Sequence, residues 1–235
     1  LVSPVPERLV KVTRPVSIER EDRTVLVRFE DGRSVMARCL VACAGEGNAQ
    51  ILESAGHDPD AMQRRPLRMG LVRGDLPPLH GHCVLGGRTR MSVTSIDLDS
   101  GQRIWQLGGE LAERWASTHG DDFFAALLEE VQRVLPGLDL SGTEVADYAA
   151  VRAEAANDEI RRPSGVQVSE IEPGFVLAWP TKLAMAPILA EDVVELVAAG
   201  AGDAGELPAD WPRATLGVPP WEQASWRSVN SVRPG

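Results

Sequence analysis

The chain has 235 residues, of which 43% are hydrophobic and 25% charged, and these proportions are typical of a globular protein with one large or two small domains. The formal net charge of −10, without a basic stripe, argues against nucleic acid or an anionic membrane as a partner. No stretch approaches the roughly 20 apolar residues of a membrane span, and no basic-then-apolar leader opens the sequence, so we expect a cytoplasmic protein.

The three cysteines form neither a disulfide pattern nor a metal pattern. Cys39 and Cys43 are four positions apart in a predicted strand, which is too far for a comfortable bridge, and a reducing compartment fits them best. His80, His82 and Cys83 offer metal-type side chains, but the sequence has no second ligand cluster. We therefore predict a polar turn there and no metal site.

The first part of the chain has the alternation of half-buried strands. Residues 10–19 and 24–29 alternate at a period of two, and Asp31-Gly32 is a hairpin signal. Residues 34–44 (SVMARCLVACA) continue as a predicted strand whose last part is apolar on both faces. Such a strand is typical of the buried strands of a layered α/β sheet.

The stretch LVACAGEGNA, residues 40–49, is a run of small residues that Gly45 and Gly47 interrupt. It predicts a buried strand, a tight turn and a short helix that ends at Gly56. A turn of this kind often lets a phosphate or another backbone approach closely. A plain strand-to-helix connection is the alternative.

The middle and the end of the chain predict a second type of architecture. Strand-like segments separated by turn residues indicate an antiparallel sheet, with helices after it, and Trp105 and Trp179 are predicted to lie in the core. The last predicted helix is capped by Thr181, ends at Gly200 and is kinked or divided by Pro187. The strand-like segments are 66–74, 82–87, 91–99, 103–109 and 145–156, the earlier helices are 109–117 and 121–136, and the tail 208–226 is predicted to pack in extended form.

This order of elements resembles the FAD-dependent oxidoreductases of the D-amino-acid oxidase and glycerol-3-phosphate dehydrogenase superfamily. The stretches that carry the resemblance are RRPLRMGLVRGDLPPLHGHCVLGG, IWQLGGELAE, AWPTKLAMAP and the turn Ala42-Cys43-Ala44-Gly45. It implies an α+β fold, with an incomplete α/β-type FAD/NAD(P)-binding layer and an antiparallel β-sheet substrate domain with helices. It further implies four regions: a remnant of the FAD-binding domain (1–60), the substrate domain (61–155), a return to the FAD-binding layer with its terminal helix (156–200), and an extended tail (201–235).

The family opens with a strand, a G-x-G-x-x-G turn and a helix, and this sequence predicts no such turn between a strand and a helix. Its one literal G-x-G-x-x-G, residues 200–205, follows the last predicted helix. We therefore expect the chain to correspond to the C-terminal portion of an oxidoreductase, as a fragment, a subunit of a split enzyme or a remnant without cofactor. By itself we expect it to be inactive and to retain little FAD. Two alternatives stay open: a non-catalytic subunit that docks on a partner supplying the dinucleotide-binding half, and a plain α+β binding module.

The resemblance also implies which residues meet the cofactor. The turn Ala44, Gly45 and Glu46 would lie beside the FAD. The helix start at Thr181, Lys182 and Leu183 would face the pyrimidine edge of the flavin, where backbone N–H groups favour negative charge. Lys182 is one of only two lysines in the chain. The alternative for Lys182 is a side chain that points into solvent.

Oxidation of a small amine- or hydroxyl-bearing substrate is the activity that the resemblance implies. An anionic substrate calls for an arginine, whose planar guanidinium matches its oxygens. The family places such an arginine on the strand that holds Arg152, although an ion pair with Glu154 or Asp158 is the alternative. Tyr148 lies four residues earlier and would share its face of a strand, either on a pocket wall or as a buried structural tyrosine.

Three further residues are candidates for the floor of a substrate pocket. Arg90, Ser92 and Thr94 are evenly spaced, so they would face one way in a regular strand. A solvated sheet face is the alternative for all three.

Overall fold

The structure is a computed structural model that describes residues 9–156, 165–179, 182–198, 208–215 and 217–232. No helix within these ranges is both long enough and apolar enough to cross a membrane. The architecture mixes helices with largely antiparallel sheets. Thr181, Asp158 and Gly200, which the sequence singled out, lie outside the described residues.

The described residues form twelve strands, which are β1 (Pro15–Glu21), β2 (Thr24–Phe29), β3 (Ser34–Ala37), β4 (Leu40–Ala42), β5 (Met62–Gly74), β6 (Gly81–Leu85), β7 (Arg88–Asp97), β8 (Arg103–Gly108), β9 (Glu144–Ala155), β10 (Gln167–Glu172), β11 (Phe175–Trp179) and β12 (Arg227–Ser228). They also form six α-helices, which are α1 (Asn48–Ser54), α2 (Glu110–Arg114), α3 (Gly120–Val134), α4 (Ala186–Ala198), α5 (Pro220–Gln223) and α6 (Val229–Val232). Short 3-10 turns lie at Gly45–Gly47, Pro59–Ala61 and Leu183–Met185.

The chain folds as two compact units. The first contains residues 1–64 and 152–216, and the second contains residues 65–151 and 217–235. Each unit has its own apolar clusters of buried side chains. The C-terminal residues are therefore divided between the units.

The first unit opens with the antiparallel sheet β1-β2-β3. The predicted Asp-Gly hairpin is present between β2 and β3, where the Arg33 guanidinium binds the Asp31 carboxylate at 2.8 Å (Nε to Oδ2) and lowers its pKa to about 2. One face of this sheet buries Val25, Val27 and Phe29, and Trp211 packs edge-on against Phe29. The alternation of β2 thus follows the burial that the sequence predicts, whereas the strand predicted over residues 10–19 begins only at Pro15 and buries only Ile18.

Residues 34–44 do not form the single strand that the sequence predicts. The chain leaves the β2 ladder after Ala37 and enters a different sheet as β4, where the N–H of Leu40 donates to the carbonyl of Gly174 at 2.8 Å. Gly174 has a φ of +84°, and a β-carbon at this position would lie 2.9 Å from the carbonyl oxygen of Arg38. The change of sheet thus depends on a close backbone approach that glycine alone permits without strain.

The second sheet of the first unit has the strand order β10-β11-β4. β10 and β11 form an antiparallel hairpin, whereas β11 and β4 pair in parallel, with Phe175 opposite Leu40 and Leu177 opposite Ala42. One face of β11 buries Phe175, Leu177 and Trp179 in a cluster that includes Ala49 and Leu52 of α1. The pair β4–β11 is the parallel part of a sheet whose other pairing is antiparallel.

The second unit is built on the sheet β12-β9-β5-β8-β7-β6. One of its faces carries Trp105, Leu107 and Val93, which pack against α3 through Phe123 and Leu127. The helices predicted at 109–117 and 121–136 are present as α2 and α3. The two faces therefore differ: a large apolar cluster with helices covers one, and a smaller cluster covers the other.

The C-terminal tail is less extended than the sequence predicts. Within residues 217–232 it forms α5, β12 and α6, and β12 pairs with the start of β9. Trp221 and Trp226 pack on the smaller cluster of the second unit, around Leu71, Ile104 and Ala146. Burial of indole rings against the sheet thus fixes this segment by side-chain packing.

Gly174→Ala should lower the free energy of unfolding by about 2–3 kcal/mol, because it adds a clash with the Arg38 carbonyl to the strain of a positive φ. Gly32→Ala is the matched control, since Gly32 has a φ of +82° in the same unit but open space around it, and it should cost about 1 kcal/mol. Urea unfolding of both variants measures the difference. Equal losses would show that the contact between Gly174 and Arg38 does not constrain the fold.

Candidate functional site

The candidate site begins where the two parallel strands of the first unit end. β4 ends at Ala42 and β11 ends at Trp179, and the last pair of their ladder joins Ala42 to Leu177. The carboxyl ends of neighbouring parallel strands meet at one edge of a sheet, which is where ligands bind in open α/β sheets. We call residues 43–48 together with 178–179 and 182–183 the carboxyl edge.

The segment after β4 has the tight geometry that its glycines predict. Ala44 has φ −84° and ψ 12°, Gly45 has φ +59°, and the 3-10 turn Gly45–Gly47 leads directly into α1. A β-carbon at Gly45 would meet no atom within 4 Å, so space is open beside this backbone. The first N–H groups of such a turn have no partner inside it.

Asn48, the first residue of α1, is a member of the carboxyl edge that sequence reasoning missed. It is 0% exposed and hydrogen-bonds to Ala44 in the segment after β4 and to Ala178 near the end of β11. The signal that could have found it is a polar residue at the end of a run of small residues, where the predicted helix begins. A buried amide at such a position requires hydrogen-bond partners.

Trp179 lies at the end of β11 and is 3% exposed, as the sequence predicts for a core residue. Its indole Nε1–H is buried and has no hydrogen-bond partner among the described residues. An unpaired buried donor costs about 1–3 kcal/mol. The carboxyl edge therefore contains a donor that an acceptor from a bound group would satisfy.

The segment after β11 differs from the predicted helix. The helix α4 begins at Ala186, behind a separate 3-10 turn at Leu183–Met185, so Pro187 occupies its first turn, where a missing N–H is tolerated. The start expected at residues 181–183 is therefore wrong. Lys182 is exposed and directly precedes the turn, and its carbonyl accepts from the N–H of Met185 at 2.9 Å.

Arg152 lies on β9, and its side chain is 21% exposed. Its Nε is 4.0 Å from Oε1 of Glu154, which is 1% exposed, and the amide of Gln63 donates to the other carboxylate oxygen of Glu154 at 3.2 Å. The alternative ion pair with Glu154 is thus present at long range, and it holds the guanidinium near a buried negative charge.

Tyr148 is half-buried on β9, and its hydroxyl accepts a hydrogen bond from the amide of Gln106 on β8. Burial raises the pKa of this phenol, so it stays protonated at neutral pH. Thr94 on β7 is exposed and pairs with Gln106 in the ladder. Tyr148 also lines a cavity of about 430 Å³ together with tail residues that include Gln223. The second unit therefore offers a protonated hydroxyl in a small cavity.

An irregularity in β7 separates Arg90 from the other predicted pocket residues. Cys83 of β6 pairs with Met91 and Val84 pairs with Thr89, so Arg90 has no partner in this register. A bulge disturbs the strict alternation of side chains. The expectation that Arg90 shares one regular face with its neighbours is therefore wrong.

The Arg90 guanidinium binds both carboxylate oxygens of Glu130 on α3, with NH2 at 2.9 Å from Oε2. Glu130 is 3% exposed, and Arg133 donates to it as well, at 2.9 Å. The hydrogen bond from Arg90 lowers the pKa of the Glu130 carboxyl. This geometry favours a structural role for Arg90, and its role toward substrate stays a prediction.

Within the described residues, no group of three or more His, Cys, Asp or Glu side chains is placed to hold a metal ion. The cysteines are unbridged, with Cys43 exposed in the carboxyl edge and Cys39 and Cys83 partly buried. His82 and Cys83 belong to β6, so the predicted turn covers less of the HGHC segment than the sequence indicates.

Among known proteins, one from Pseudomonas aeruginosa is similar to this chain in both sequence and fold. No family model matches the chain. The chain is 35% identical over 214 residues to the probable FAD-dependent oxidoreductase PA4991 of Pseudomonas aeruginosa. The matched region covers 87% of this chain and 54% of that protein. The crystal structure of the same Pseudomonas protein superposes with a TM-score of 0.78 at 33% identity, over 92% of this chain and 60% of the other.

A second solved structure, iminodiacetate oxidase from Chelativorans sp. BNC1, superposes over 84% of this chain and 52% of the other, with a TM-score of 0.46 at 16% identity. The chain spans about half the length of the curated relative that it matches. The chain is thus similar in sequence and in fold to the Pseudomonas protein over about nine-tenths of this chain.

Arg90→Met should lower the free energy of unfolding by about 3 kcal/mol at pH 7, because Glu130 keeps a buried charge without its main partner. The Glu130 pKa is lowered in the folded state, so this stabilisation is present above the unfolded-state pKa and is lost as the pH falls through the folded-state pKa. The difference from wild type should therefore narrow below about pH 4. Urea unfolding across this pH range measures it.

Arg88→Met is the matched control, since Arg88 lies on the same strand with its side chain 79% exposed and should change stability by less than about 0.5 kcal/mol. Adding Glu130→Leu to Arg90→Met should restore most of the loss, because it removes the orphaned charge. An Arg90→Met protein with wild-type stability and a raised KM for an anionic substrate would contradict the structural role.

Proposed function

We propose that this chain is part of an FAD-dependent oxidoreductase of the D-amino-acid oxidase and glycerol-3-phosphate dehydrogenase type. Its substrate would be a small, anionic molecule that bears an amine or a hydroxyl group. The observation that carries the proposal is the similarity to the Pseudomonas FAD-dependent oxidoreductase, which extends over about nine-tenths of this chain in both sequence and backbone.

Two features of the carboxyl edge fit a bound flavin. The Trp179 indole N–H is a buried donor that lacks an acceptor among the described residues. A carbonyl oxygen or ring nitrogen of the flavin would accept its hydrogen bond. The open space at Gly45 would let a planar ring approach the backbone. Residues 44–46 would then line one side of the ring, and residues 181–183 the other.

The pyrophosphate of FAD has no comparable place among the described residues. It normally binds the N–H groups at a helix start behind a G-x-G-x-x-G turn that follows a strand, and no predicted strand-to-helix turn of this sequence carries that motif. We therefore propose that this chain contacts the flavin ring and binds FAD weakly by itself.

When bound, FAD accepts the electron pair that the substrate loses on oxidation. The chain's own residues would set the electrostatic environment of that event. The start of the 3-10 turn at Leu183 carries partial positive charge, and Lys182 adds a full positive charge beside it. Both favour negative charge at the carboxyl edge, as preorganised donors do in catalytic sites.

Arg152 is the residue that we propose for binding the anionic group of the substrate. Its guanidinium stays charged at all physiological pH values and presents several donors in one plane. The buried Glu154 carboxylate lies beside it, with Oε1 4.0 Å from the Arg152 Nε, and would restrain the side chain. The second unit contains Tyr148, Thr94 and Arg90, and each of these residues remains a proposed substrate contact.

In the complete enzyme, Arg152→Ala should raise KM for carboxylate substrates about tenfold to a hundredfold, because a charge-assisted contact is lost. Arg152→Lys should show a much smaller rise. The measurement is anaerobic loss of the visible flavin absorbance with a panel of small amino acids and 2-hydroxy acids. The flavin spectrum of the resting protein should not change.

An uncharged substrate analogue provides the control, because its KM should be the same in wild type and Arg152→Ala. Equal KM values for the charged substrate in both proteins would remove Arg152 from the site. Failure of every amine and hydroxy acid to reduce the flavin would contradict the proposed activity itself and would favour the non-catalytic docking subunit.

A further inference from the structure

Asn48 is a buried polar residue that the proposed function leaves without a role. It is the first residue of α1 in the first unit, and its side chain is 0% exposed. Few polar side chains are as deeply buried among the described residues, which indicates that its carboxamide is held for a specific purpose. A carboxamide buried in this way stabilises the fold only when its donors and its acceptor are paired.

The Asn48 carboxamide connects two distant parts of the chain. Its Oδ1 accepts the backbone N–H of Ala44 at 2.8 Å, and its Nδ2 donates to the carbonyl of Ala178 at 3.5 Å. The first bond is short, and the second is long and therefore weaker. One side chain thus contacts both the turn after β4 and the second-to-last residue of β11.

These contacts lie directly beyond the end of the parallel ladder. The last pair of the ladder joins Ala42 to Leu177. Ala178 follows Leu177 by one residue, and Ala44 follows Ala42 by two. The Asn48 carboxamide therefore occupies the space in which the two backbones separate, and it takes the place of the next ladder hydrogen bonds.

The hydrogen bond at Ala44 also fixes the backbone of the proposed flavin contact. Ala44 N–H is committed to Asn48, and Gly45 then turns to a φ of +59°. The N–H groups of Gly45 and Glu46 follow directly, so their directions depend on where Ala44 is held. On the other strand, Trp179 follows Ala178, so the same carboxamide restrains the residue with the unpaired indole donor.

We propose that Asn48 is a positioning residue that sets the spacing between the turn at residues 44–46 and the end of β11. This inference rests on the proposed function, since it assigns a purpose to the carboxyl edge. Asn48 does not touch the flavin in this account. It acts through the backbone of Ala44 and Ala178, and its loss would let the two sides of the site move independently.

Asn48→Leu tests this proposal, because leucine has a similar shape and neither of the two hydrogen bonds. In the flavin-free chain, amide exchange measured by NMR should accelerate together at residues 44–46 and 178–179. Asn48→Asp keeps the acceptor for Ala44 and loses the donor to Ala178, so exchange should accelerate mainly at 178–179. Unchanged exchange at either side in Asn48→Leu would overturn the proposal without reference to any flavin.

Flavin affinity gives the second readout, with FMN as the probe. Asn48→Leu should weaken FMN binding about tenfold, the effect of one buried hydrogen bond. Thr143→Val is the matched control: Thr143 is 3% exposed and donates through Oγ1 to the Leu140 carbonyl at 2.7 Å in the second unit. It should lower the melting temperature and leave FMN affinity unchanged.

The outcomes separate this proposal from the proposed function. Wild-type FMN affinity in a folded Asn48→Leu protein would overturn the positioning role and leave the oxidoreductase proposal intact. Equal losses of FMN affinity in Asn48→Leu and Thr143→Val would also overturn it, because they would reflect stability alone. A wild-type chain that does not bind FMN would count against the proposed function, and the amide exchange of Asn48→Leu would still decide the positioning role.

Discussion

The parallel pairing of β4 with β11 is the constraint on which the candidate site depends. It joins a segment near the start of the chain to one that follows more than a hundred residues later, with Leu40 opposite Phe175. Because the two strands run in the same direction, the turn at Gly45 and the approach to Lys182 leave from one edge. Neither segment offers a binding site alone, so the chemistry of this edge depends on a long-range contact.

Local features of the fold were predictable because each has a local physical cause. The Asp31-Gly32 hairpin follows from turn chemistry, and α3 follows from its apolar period between Asp121-Asp122 and the proline after it. The buried strand before Gly45 follows from its uninterrupted apolar run. The change of sheet at Arg38 has no such local signal, since it requires the approach of Gly174 from a distant turn.

Predictions of side-chain roles failed or stayed untested where the ion-pair or hydrogen-bond partner of the residue comes from a distant part of the sequence. Even spacing around Arg90 assumed a regular strand, but the bulge and the buried Glu130 of α3 determine where that guanidinium lies. Asn48 was missed because its proposed role depends on hydrogen bonds to both Ala44 and Ala178. Ala178 is distant in sequence, so the residues around Asn48 give no sign of this contact. Residue type and spacing therefore identified the carboxyl edge but not the contacts that shape it.

The direct test of the account is to map flavin binding on this chain by NMR, with FMN and ADP as separate probes. The account predicts that FMN shifts the amide signals of residues 44–48 and 182–183 and the indole signal of Trp179, since the ring would lie at the carboxyl edge. ADP should cause little change there, because the account places only the flavin ring, and not the pyrophosphate, at the carboxyl edge. Shifts that avoid the carboxyl edge, or an FMN response absent from Trp179, would contradict the account.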